Sequence, residues 1–474
     1  MPSENVFRIL FLGDKLSSKN YRVAYRRCYT LCKTMINKII MKVNGNWYFT
    51  ELDTSFFGTL IKENSTIKLN IIGQLPYSNA SARFPIVYGK TVEGDFTLLN
   101  CIWNGSYSYN HESKISESSL FCISVIRGNC FKNSNELLFN QFKFNFDGLK
   151  EWANLQNLNT DFSHKKVRAE YENPNPIEFN INNQIYGSLI FEFDDFTERK
   201  SDAVHQINQY VYIQLKSQTE LDYELYLKNK EVLIHFFYFA INYKIQPYIQ
   251  RLFKYNLQQS KRVKELVYIQ PQNSEINNFP ERHQFPFKFK DIENEFNDIL
   301  TNWFCIYEKL TPIINIWYNF LTNDKLSIEN KFILTCQVLE TFHTRFKQKN
   351  ETYIEGECSK HDKNPYFATR IKKLIDFLRK NISDNIFKDF NELDVLSKLI
   401  KETRNYYTHY DEKLNKWNKN ELLKYTPELI NMLHILVLFE IGIKPNILKK
   451  FHENNHFAYY SDINDIPIFN QKKC

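Results

Sequence analysis

Alternating apolar and polar positions fill much of the first two hundred residues. Short runs rich in β-branched and aromatic residues lie between glycines and Asn-Gly turn signals, a pattern typical of strands. Between the two groups of runs, residues 149–155 predict a short helix. We therefore predict an antiparallel β-sandwich or barrel-like module. The strand-like runs are 66–73, 84–89, 95–103 and 120–128, followed by 141–146, 186–194 and 210–217.

The hydrophobic period becomes helical from about residue 229. Residues 231–253 are strongly apolar and predict a buried helix broken near Pro247. The polar stretch 271–288 contains three prolines and has no clear period, which marks a domain boundary.

Everything after this boundary has helical periodicity, which predicts an all-α bundle over about 290–450. The fold class is therefore α+β: a β-rich antiparallel N-terminal module followed by an all-α helical bundle. We assign 1–228 to the β-rich domain, 229–288 to a helical connector and linker, and 289–474 to the helical domain. The predicted helices are 291–310, ending before Thr311-Pro312, then 326–346, 365–380 after Asn364, 391–410, and one opened by Thr426-Pro427.

Two apolar segments, 232–243 and 432–443, are shorter than the ~20 residues that span a bilayer. Polar residues interrupt both, so we interpret them as buried helices. The apolar stretch within the opening MPSENVFRILFLGDK is too short for a signal peptide. We expect a cytoplasmic protein without a membrane partner.

Composition changes this picture little. Hydrophobic residues make up 43% of the 474 residues and charged residues 24%, as in an ordinary protein with a core. The net charge of +7 is compatible with a polyanionic partner. A solvated lysine-rich surface explains it equally well.

The nine cysteines are scattered and form no C-x-x-C, which favours a reducing compartment over a disulfide framework. Cys28/Cys32 and Cys358-x2-His361 have the spacing of metal ligands but lack a second pair. Phosphate-binding P-loop, dinucleotide-binding, HExxH and GxSxG motifs are absent from the sequence. We expect no metal and no cofactor.

The stretch RNYYTHY, 404–410, carries the candidate chemistry. Its spacing, Arg404-x4-His409, is weak evidence because chance produces similar pairs, and Arg199-x5-His205 is one. Arg404, however, borders a helical apolar stripe, where a charged group needs a partner or a function. The stripe consists of Leu393, Leu396, Leu399, Ile400 and Thr403.

An arginine and a histidine together suit RNA cleavage without a metal. Arginine binds phosphate oxygens and stabilises charge on a pentacoordinate phosphate. Histidine exchanges protons near neutral pH, as attack by a ribose 2′-OH requires. Asn405 can orient either partner. Tyr406, Tyr407 and Tyr410 either stack bases or pack, with packing the more common role.

Five residues of helix separate Arg404 and His409 by about 140°. One ideal helix therefore does not aim both side chains at the same atom. Convergence requires flexible side chains, a helix end, or a second subunit.

RNYYTH resembles the R-x4–6-H motif of the HEPN superfamily of α-helical RNases, including the polar residue after the arginine. The helix at 332–346, with Gln337, Leu339, Glu340 and His343, and the helix at 366–378 resemble those of ApeA-type HEPN domains of anti-phage defence. Segments 57–75, 86–103 and 144–155 resemble the N-terminal domain that accompanies them.

This resemblance implies a homodimer in which two R-x4-H motifs form one RNase cleft, with Arg404 and His409 catalytic. It also implies that the β-rich part senses an invader or restrains the nuclease, and it makes tRNA a candidate substrate. Glu340 and His343 would support Arg404, although a packed histidine is an equal alternative for His343. Lys401, Arg345 and Tyr410 are candidate RNA-binding residues, with a plain solvated face as the alternative for the two cations. The rival functions are a non-catalytic HEPN binding module and a ligand sensor.

Overall fold

The structure is a computed structural model. It describes residues 41–50, 54–63, 65–75, 82–110, 115–154, 158–163, 166–197, 205–255, 263–270, 285–323, 325–346 and 366–461. Internal contacts divide the chain into two compact units. We call residues 1–137 with 256–277 the barrel unit, and residues 138–255 with 278–474 the sheet–helix unit.

The elements are numbered here in chain order. The described strands are β1 Met41–Phe49, β2 Thr54–Glu63, β3 Thr66–Ile72, β4 Arg83–Thr91, β5 Gly94–Asn110, β6 Ile115–Arg127, β7 Leu138–Phe146, β8 Leu158–Ser163, β9 Lys166–Tyr171, β10 Ile177–Asn180, β11 Tyr186–Thr197, β12 His205–Asp222, β13 Pro247–Tyr255 and β14 Val263–Ile269. The described α-helices are α1 Leu149–Ala153, α2 Tyr223–Ile241, α3 Phe289–Ile292, α4 Phe296–Thr322, α5 Ile328–Phe346, α6 Phe367–Asn381, α7 Leu393–His409, α8 Lys419–Glu440 and α9 Pro445–Ser461.

The first six strands close into an antiparallel barrel. They pair in the order β6-β3-β2-β1-β4-β5, and β5 pairs back with β6. Strand β14 pairs with the same edge of β6 as β3 does, but further along β6, where Val267 lies opposite Arg127. Closure pairs the edges that an open sheet exposes. The predicted β-rich antiparallel module is confirmed, and its first strand group is a barrel.

Alternation along β1 shows why these residues form a barrel. Val43, Gly45, Trp47 and Phe49 are buried, whereas the residues between them are exposed or half-buried. The Trp47 indole donates to the Gly58 carbonyl at 3.1 Å. Gly89 lies directly opposite Trp47, and a Cβ at Gly89 would lie only 2.3 Å from the indole. The barrel core therefore requires glycine at this position.

The second strand group forms an open antiparallel sheet in the sheet–helix unit, in the order β10-β11-β12-β7-β13. Helix α2 packs on this sheet, with the Phe146 and Phe237 rings 4.9 Å apart. The Tyr226 hydroxyl of α2 donates to the Phe139 carbonyl of β7 at 3.2 Å. Strands β8 and β9 form a separate hairpin.

The helical connector predicted over 229–288 is wrong in its second part. Helix α2 ends at Ile241, where Asn242 takes a left-handed C-cap with φ of 56°. Pro247–Tyr255 then forms strand β13, which pairs with β7, and Val263–Ile269 forms β14. Hydrogen bonds to a strand about a hundred residues away decide this conformation, and the local pattern does not contain them. The boundary segment 271–284 lies outside the described residues.

Helix α2 also joins the sheet to the helical bundle. The Trp303 indole of α4 donates to the Val232 carbonyl of α2 at 2.9 Å. His434 of α8 donates through Nε2 to the Phe239 carbonyl at 2.8 Å. Burial lowers the pKa of His434 to about 3, so the imidazole is neutral in the core.

Helix α8 has the length and hydropathy of a membrane span, Lys419–Glu440, but most of it is buried inside the bundle. It packs on α5 and α9. Its position in the core accounts for its apolar composition. This confirms the prediction that 432–443 belongs to a buried helix. The predicted start near Thr426-Pro427 is wrong. Asn418 caps the helix by accepting from the Asn420 and Glu421 amides, so Pro427 lies inside it.

Helix α4 does not end before Pro312, as predicted, but continues to Thr322. Proline has no N–H, so the Glu308 carbonyl lacks its donor four residues on. The Arg345 guanidinium of α5 lies 3.4 Å from the Glu308 carbonyl and donates to the Lys309 carbonyl at 2.9 Å. A donor from the neighbouring helix thus compensates for the proline.

The loop between α6 and α7 fixes the geometry of the helices that carry the candidate site. Arg379 donates to the carbonyls of Ile386, Phe387 and Phe390 at 2.7–2.9 Å. Phe387 has a φ of 51°, and its amide donates to the Glu428 carboxylate of α8.

Burial is the main cause that raises the pKa of Glu428, to about 7, and Asp389 adds to it. The Phe387 amide, Lys424 and Arg379 act in the opposite direction. The folded state therefore holds a proton on Glu428 at a pH where the unfolded chain has lost it.

Because the pKa of Glu428 is raised in the folded state, its contribution to the free energy of unfolding is fully present below about pH 4.5. This contribution is lost as the pH rises towards 7. We expect Glu428→Gln, which keeps the acceptor oxygen, to raise the free energy of unfolding at pH 8 by on the order of 2–3 kcal/mol. At pH 4 the variant and the wild type should unfold alike. Denaturant unfolding at both pH values tests this. The matched control is Glu412→Gln, at an exposed carboxylate, and equal gains in the two variants would contradict it.

Candidate active site

The RNYYTHY stretch ends helix α7. Leu396, Ser397, Ile400 and Thr403 form the buried face of this helix. The Thr403 hydroxyl accepts from the Trp417 amide at 3.0 Å, so the chain after α7 folds back on the helix. The predicted apolar stripe thus faces the core at Leu396, Ile400 and Thr403, and Arg404 lies at its edge.

Arg404 is held by two contacts. Its guanidinium lies 3.1 Å from the Glu340 carboxylate of α5. It also stacks over the Phe367 ring of α6, 4.5 Å from the ring centroid. The side chain keeps 29% of its surface exposed, so a ligand can still reach it. The expected ion pair between Glu340 and Arg404 is present.

Arg370, on α6, shares the same carboxylate. Its guanidinium lies 3.5 Å from Glu340 and donates to the Thr344 hydroxyl at 2.7 Å. Arg370, Arg404 and Glu340 together carry one net positive charge. Arg370 is not among the residues predicted from the sequence, although it has the same signal as Arg404: an arginine within an apolar stripe, here that of Phe367, Ile371 and Leu374.

Cys336 lies one turn before Glu340 on α5 and is fully buried. Burial raises the pKa of its thiol well above the ordinary value, and Glu340 adds to this while Arg404 opposes it. The thiol therefore stays neutral, and Glu340 supplies the negative charge that faces Arg404.

His409 lies on a different side of α7. It is the last helical residue and is exposed. Lys401, Asn405 and His409 follow each other at intervals of four and form one strip about 80° wide, and Arg404 lies about 140° from His409. Among the described residues, the side chains of Lys401, Asn405 and His409 have no hydrogen bond or ion pair. Arg404 and His409 are thus both accessible, and an ideal helix separates their positions by about 140°.

His343 is 1% exposed and belongs to the core face of α5. This burial agrees with the alternative of a packed histidine, and the predicted support of Arg404 by His343 stays a prediction. Arg345 is exposed, but its guanidinium lies against the Glu308 carbonyl that Pro312 leaves without a donor and donates to the neighbouring Lys309 carbonyl. Its predicted role in RNA binding stays a prediction, beside this structural role. Lys372 pairs with Asp394 at 2.6 Å.

The three tyrosines have different environments. The Tyr407 hydroxyl donates to the Trp417 carbonyl at 3.4 Å. Tyr406 lies between the Tyr407 and Tyr410 rings, at 5.0 and 5.8 Å, with the Lys416 ammonium 3.3 Å from its centroid. Tyr410 itself is 69% exposed. Packing thus accounts for Tyr406 and Tyr407 but not for Tyr410.

Within the described residues, no group of three or more histidine, cysteine or carboxylate side chains has the arrangement of a metal site. The pairs Cys28/Cys32 and Cys358/His361 lie outside the described residues, as does Arg199.

Comparisons with known families agree with this architecture. Residues 42–303 match the model of ApeA N-terminal domain 1, and residues 333–446 match that of the Apea-like HEPN domain. The first match covers the described barrel and the open sheet. Searches of curated proteins and of solved structures gave no match.

The fold and the site define a protein with a β-rich N-terminal region and a C-terminal HEPN domain, a class whose members are generally RNases. The chain belongs to the ApeA family. The first match ends at residue 303, within α4, and the second begins at residue 333, within α5. The sequence pattern instead predicts that the helical domain starts at residue 289.

Proposed function

We propose that this protein is a metal-independent endoribonuclease of bacterial anti-phage defence. The observation that supports this most is Arg404, anchored yet accessible, with an exposed His409 five residues later in an ApeA-like HEPN domain. Both side chains have the chemistry that RNA cleavage needs, and neither is buried by the packing of α7.

The reaction is attack of a ribose 2′-OH on the adjacent phosphate. The bond to the 5′ oxygen of the next nucleotide breaks, which leaves a 2′,3′-cyclic phosphate and a 5′-OH. His409 takes the proton from the 2′-OH or gives one to the leaving 5′ oxygen, and water makes the other proton transfer. Arg404 stabilises the charge that develops on the phosphate, and Asn405 orients the histidine or the phosphate.

The angle between the two side chains supports a homodimer. Because α7 separates Arg404 and His409 by about 140°, a phosphate is better served by the arginine of one copy and the histidine of another. In this proposal the N-terminal region controls the cleft in response to a phage-derived trigger in the cytoplasm. The RNA target includes tRNA as a candidate, and Lys401 contributes a phosphate contact.

The test is to incubate the purified protein with total cellular RNA and EDTA, with and without extract of phage-infected cells. We expect cleavage in EDTA that leaves 2′,3′-cyclic phosphate ends. A second arm mixes Arg404→Ala protein with His409→Ala protein. A shared cleft predicts partial recovery of activity in mixed dimers. Cleavage abolished by EDTA would contradict the mechanism, and no recovery on mixing would contradict the shared cleft.

A further inference from the structure

Tyr410 ends helix α7 in a conformation that its residue type disfavours. Its φ and ψ are 55° and 35°, in the left-handed region, where a side chain with a Cβ is crowded. Elsewhere in the chain, left-handed helix ends carry Asn154 and Asn242, and Gly442 follows α8 with a φ of 100°. Asparagine and glycine are the usual residues there. A tyrosine at this position needs another reason.

Packing does not supply the reason. The side chain is 69% exposed, and its ring contacts that of Tyr406 at 5.8 Å. Among the described residues, the Tyr410 hydroxyl has no hydrogen-bond partner. The ring therefore presents most of its surface to solvent.

The surroundings of the ring match the chemistry of an unpaired nucleotide. Tyr410 directly follows His409, the proposed proton-transfer residue. Lys416 lies 3.3 Å from the centroid of Tyr406, the ring that Tyr410 contacts, and adds a cation to this surface. Unpaired bases stack on exposed aromatic rings, while nearby cations bind the backbone phosphates.

We propose that Tyr410 determines cleavage-site specificity by stacking the base next to the scissile phosphate. Purines offer the larger stacking surface, so sites with a purine at that position are cleaved preferentially. The left-handed cap leaves the ring exposed at the residue that follows His409. This inference rests on the proposed RNase function.

The variants Tyr410→Phe and Tyr410→Gly separate recognition from folding. Phenylalanine keeps the ring, and glycine removes it while relieving the left-handed backbone. The substrates are short RNAs that differ only at the flanking base: purine, pyrimidine or abasic. We expect Tyr410→Gly to raise KM for the purine substrate roughly 10-fold and to abolish the preference for purine. Its melting temperature should equal or exceed that of the wild type, and Tyr410→Phe should retain the purine preference because it keeps the ring.

A binding measurement distinguishes failure of this inference from failure of the proposed function. An RNA with 2-aminopurine at the flanking base and a 2′-deoxy sugar at the cleavage site cannot be cut. Quenching of its fluorescence by wild type but not by Tyr410→Gly supports stacking even if no RNA is cleaved. Cleavage by Tyr410→Gly with unchanged KM and purine preference would overturn the inference and leave the RNase function intact. Equal quenching by wild type and Tyr410→Gly would also overturn it.

Discussion

Replacing His409 with alanine is expected to lower the rate of RNA cleavage by roughly 10²–10⁴-fold, the usual contribution of a general acid or base. The stability of the fold should stay unchanged, because His409 is exposed at the end of α7 and its side chain makes no hydrogen bond or ion pair to any described residue. Single-turnover cleavage of a defined RNA and a thermal unfolding curve measure both quantities.

The matched control is Thr408→Ala, at the exposed neighbour on the same helix. The Thr408 hydroxyl donates to the Arg404 carbonyl of its own helix at 2.8 Å, so its loss removes no contact with another element. We expect near wild-type cleavage from this control. A His409→Ala protein that cleaves as fast as Thr408→Ala would exclude His409 from the chemistry, whatever its effect on stability.

Replacing Glu340 with glutamine is expected to reduce cleavage on the order of 10²-fold, because Arg404 loses the anion that fixes its position. Stability should also fall, by roughly 1–2 kcal/mol, since Arg370 and Arg404 both lose a partner. The smaller end of this range allows for solvent screening, because the Glu340 side chain is 31% exposed. Cleavage kinetics and denaturant unfolding on the same preparation test both effects.

The double variant Glu340→Gln/Arg370→Gln separates charge balance from positioning. Removing one cation should recover part of the lost stability, whereas cleavage should stay low because Arg404 still lacks the Glu340 carboxylate. The control is Asp394→Asn, which breaks the 2.6 Å pair with Lys372 between α6 and α7, where Asp394 is 80% exposed. Exposed pairs of this kind stabilise little. Wild-type activity in Glu340→Gln would show that the ion pair does not position Arg404.

The sequence pattern predicts the elements that depend on local periodicity. The strand run 66–73 is β3, the helix over 326–346 is α5, and the α+β order of the chain is confirmed. Strand β13 was missed because a short apolar run such as YIQRLF fits a helix or a strand equally well. Its pairing with β7 decides between them, and that contact is distant in sequence.

Prolines show a similar limit. A proline ordinarily ends a helix because it lacks a donor, so the sequence predicts that α4 ends before Pro312. The compensating donor is Arg345, which belongs to another helix. No local pattern around Pro312 contains that arginine.

The candidate site was predictable in part. The position of Arg404 beside an apolar stripe and its pairing with Glu340 agree with the sequence analysis. Arg370 also lies within an apolar stripe but is absent from the residues predicted for the site. The burial of His343 could not be known, because 3.6-residue periodicity does not separate the centre of a helix face from its edge. The left-handed conformation of Tyr410 is likewise a property of the folded chain.

The most direct measurement of the central claim is sequencing of RNA ends after induced expression of wild type and His409→Ala in phage-infected bacteria. The account predicts discrete new 2′,3′-cyclic phosphate ends, with matching 5′-OH ends, in cells that express wild type and not in cells that express His409→Ala. The same new ends in both strains, or wild-type ends that carry a 3′-OH and a 5′-phosphate, would contradict it.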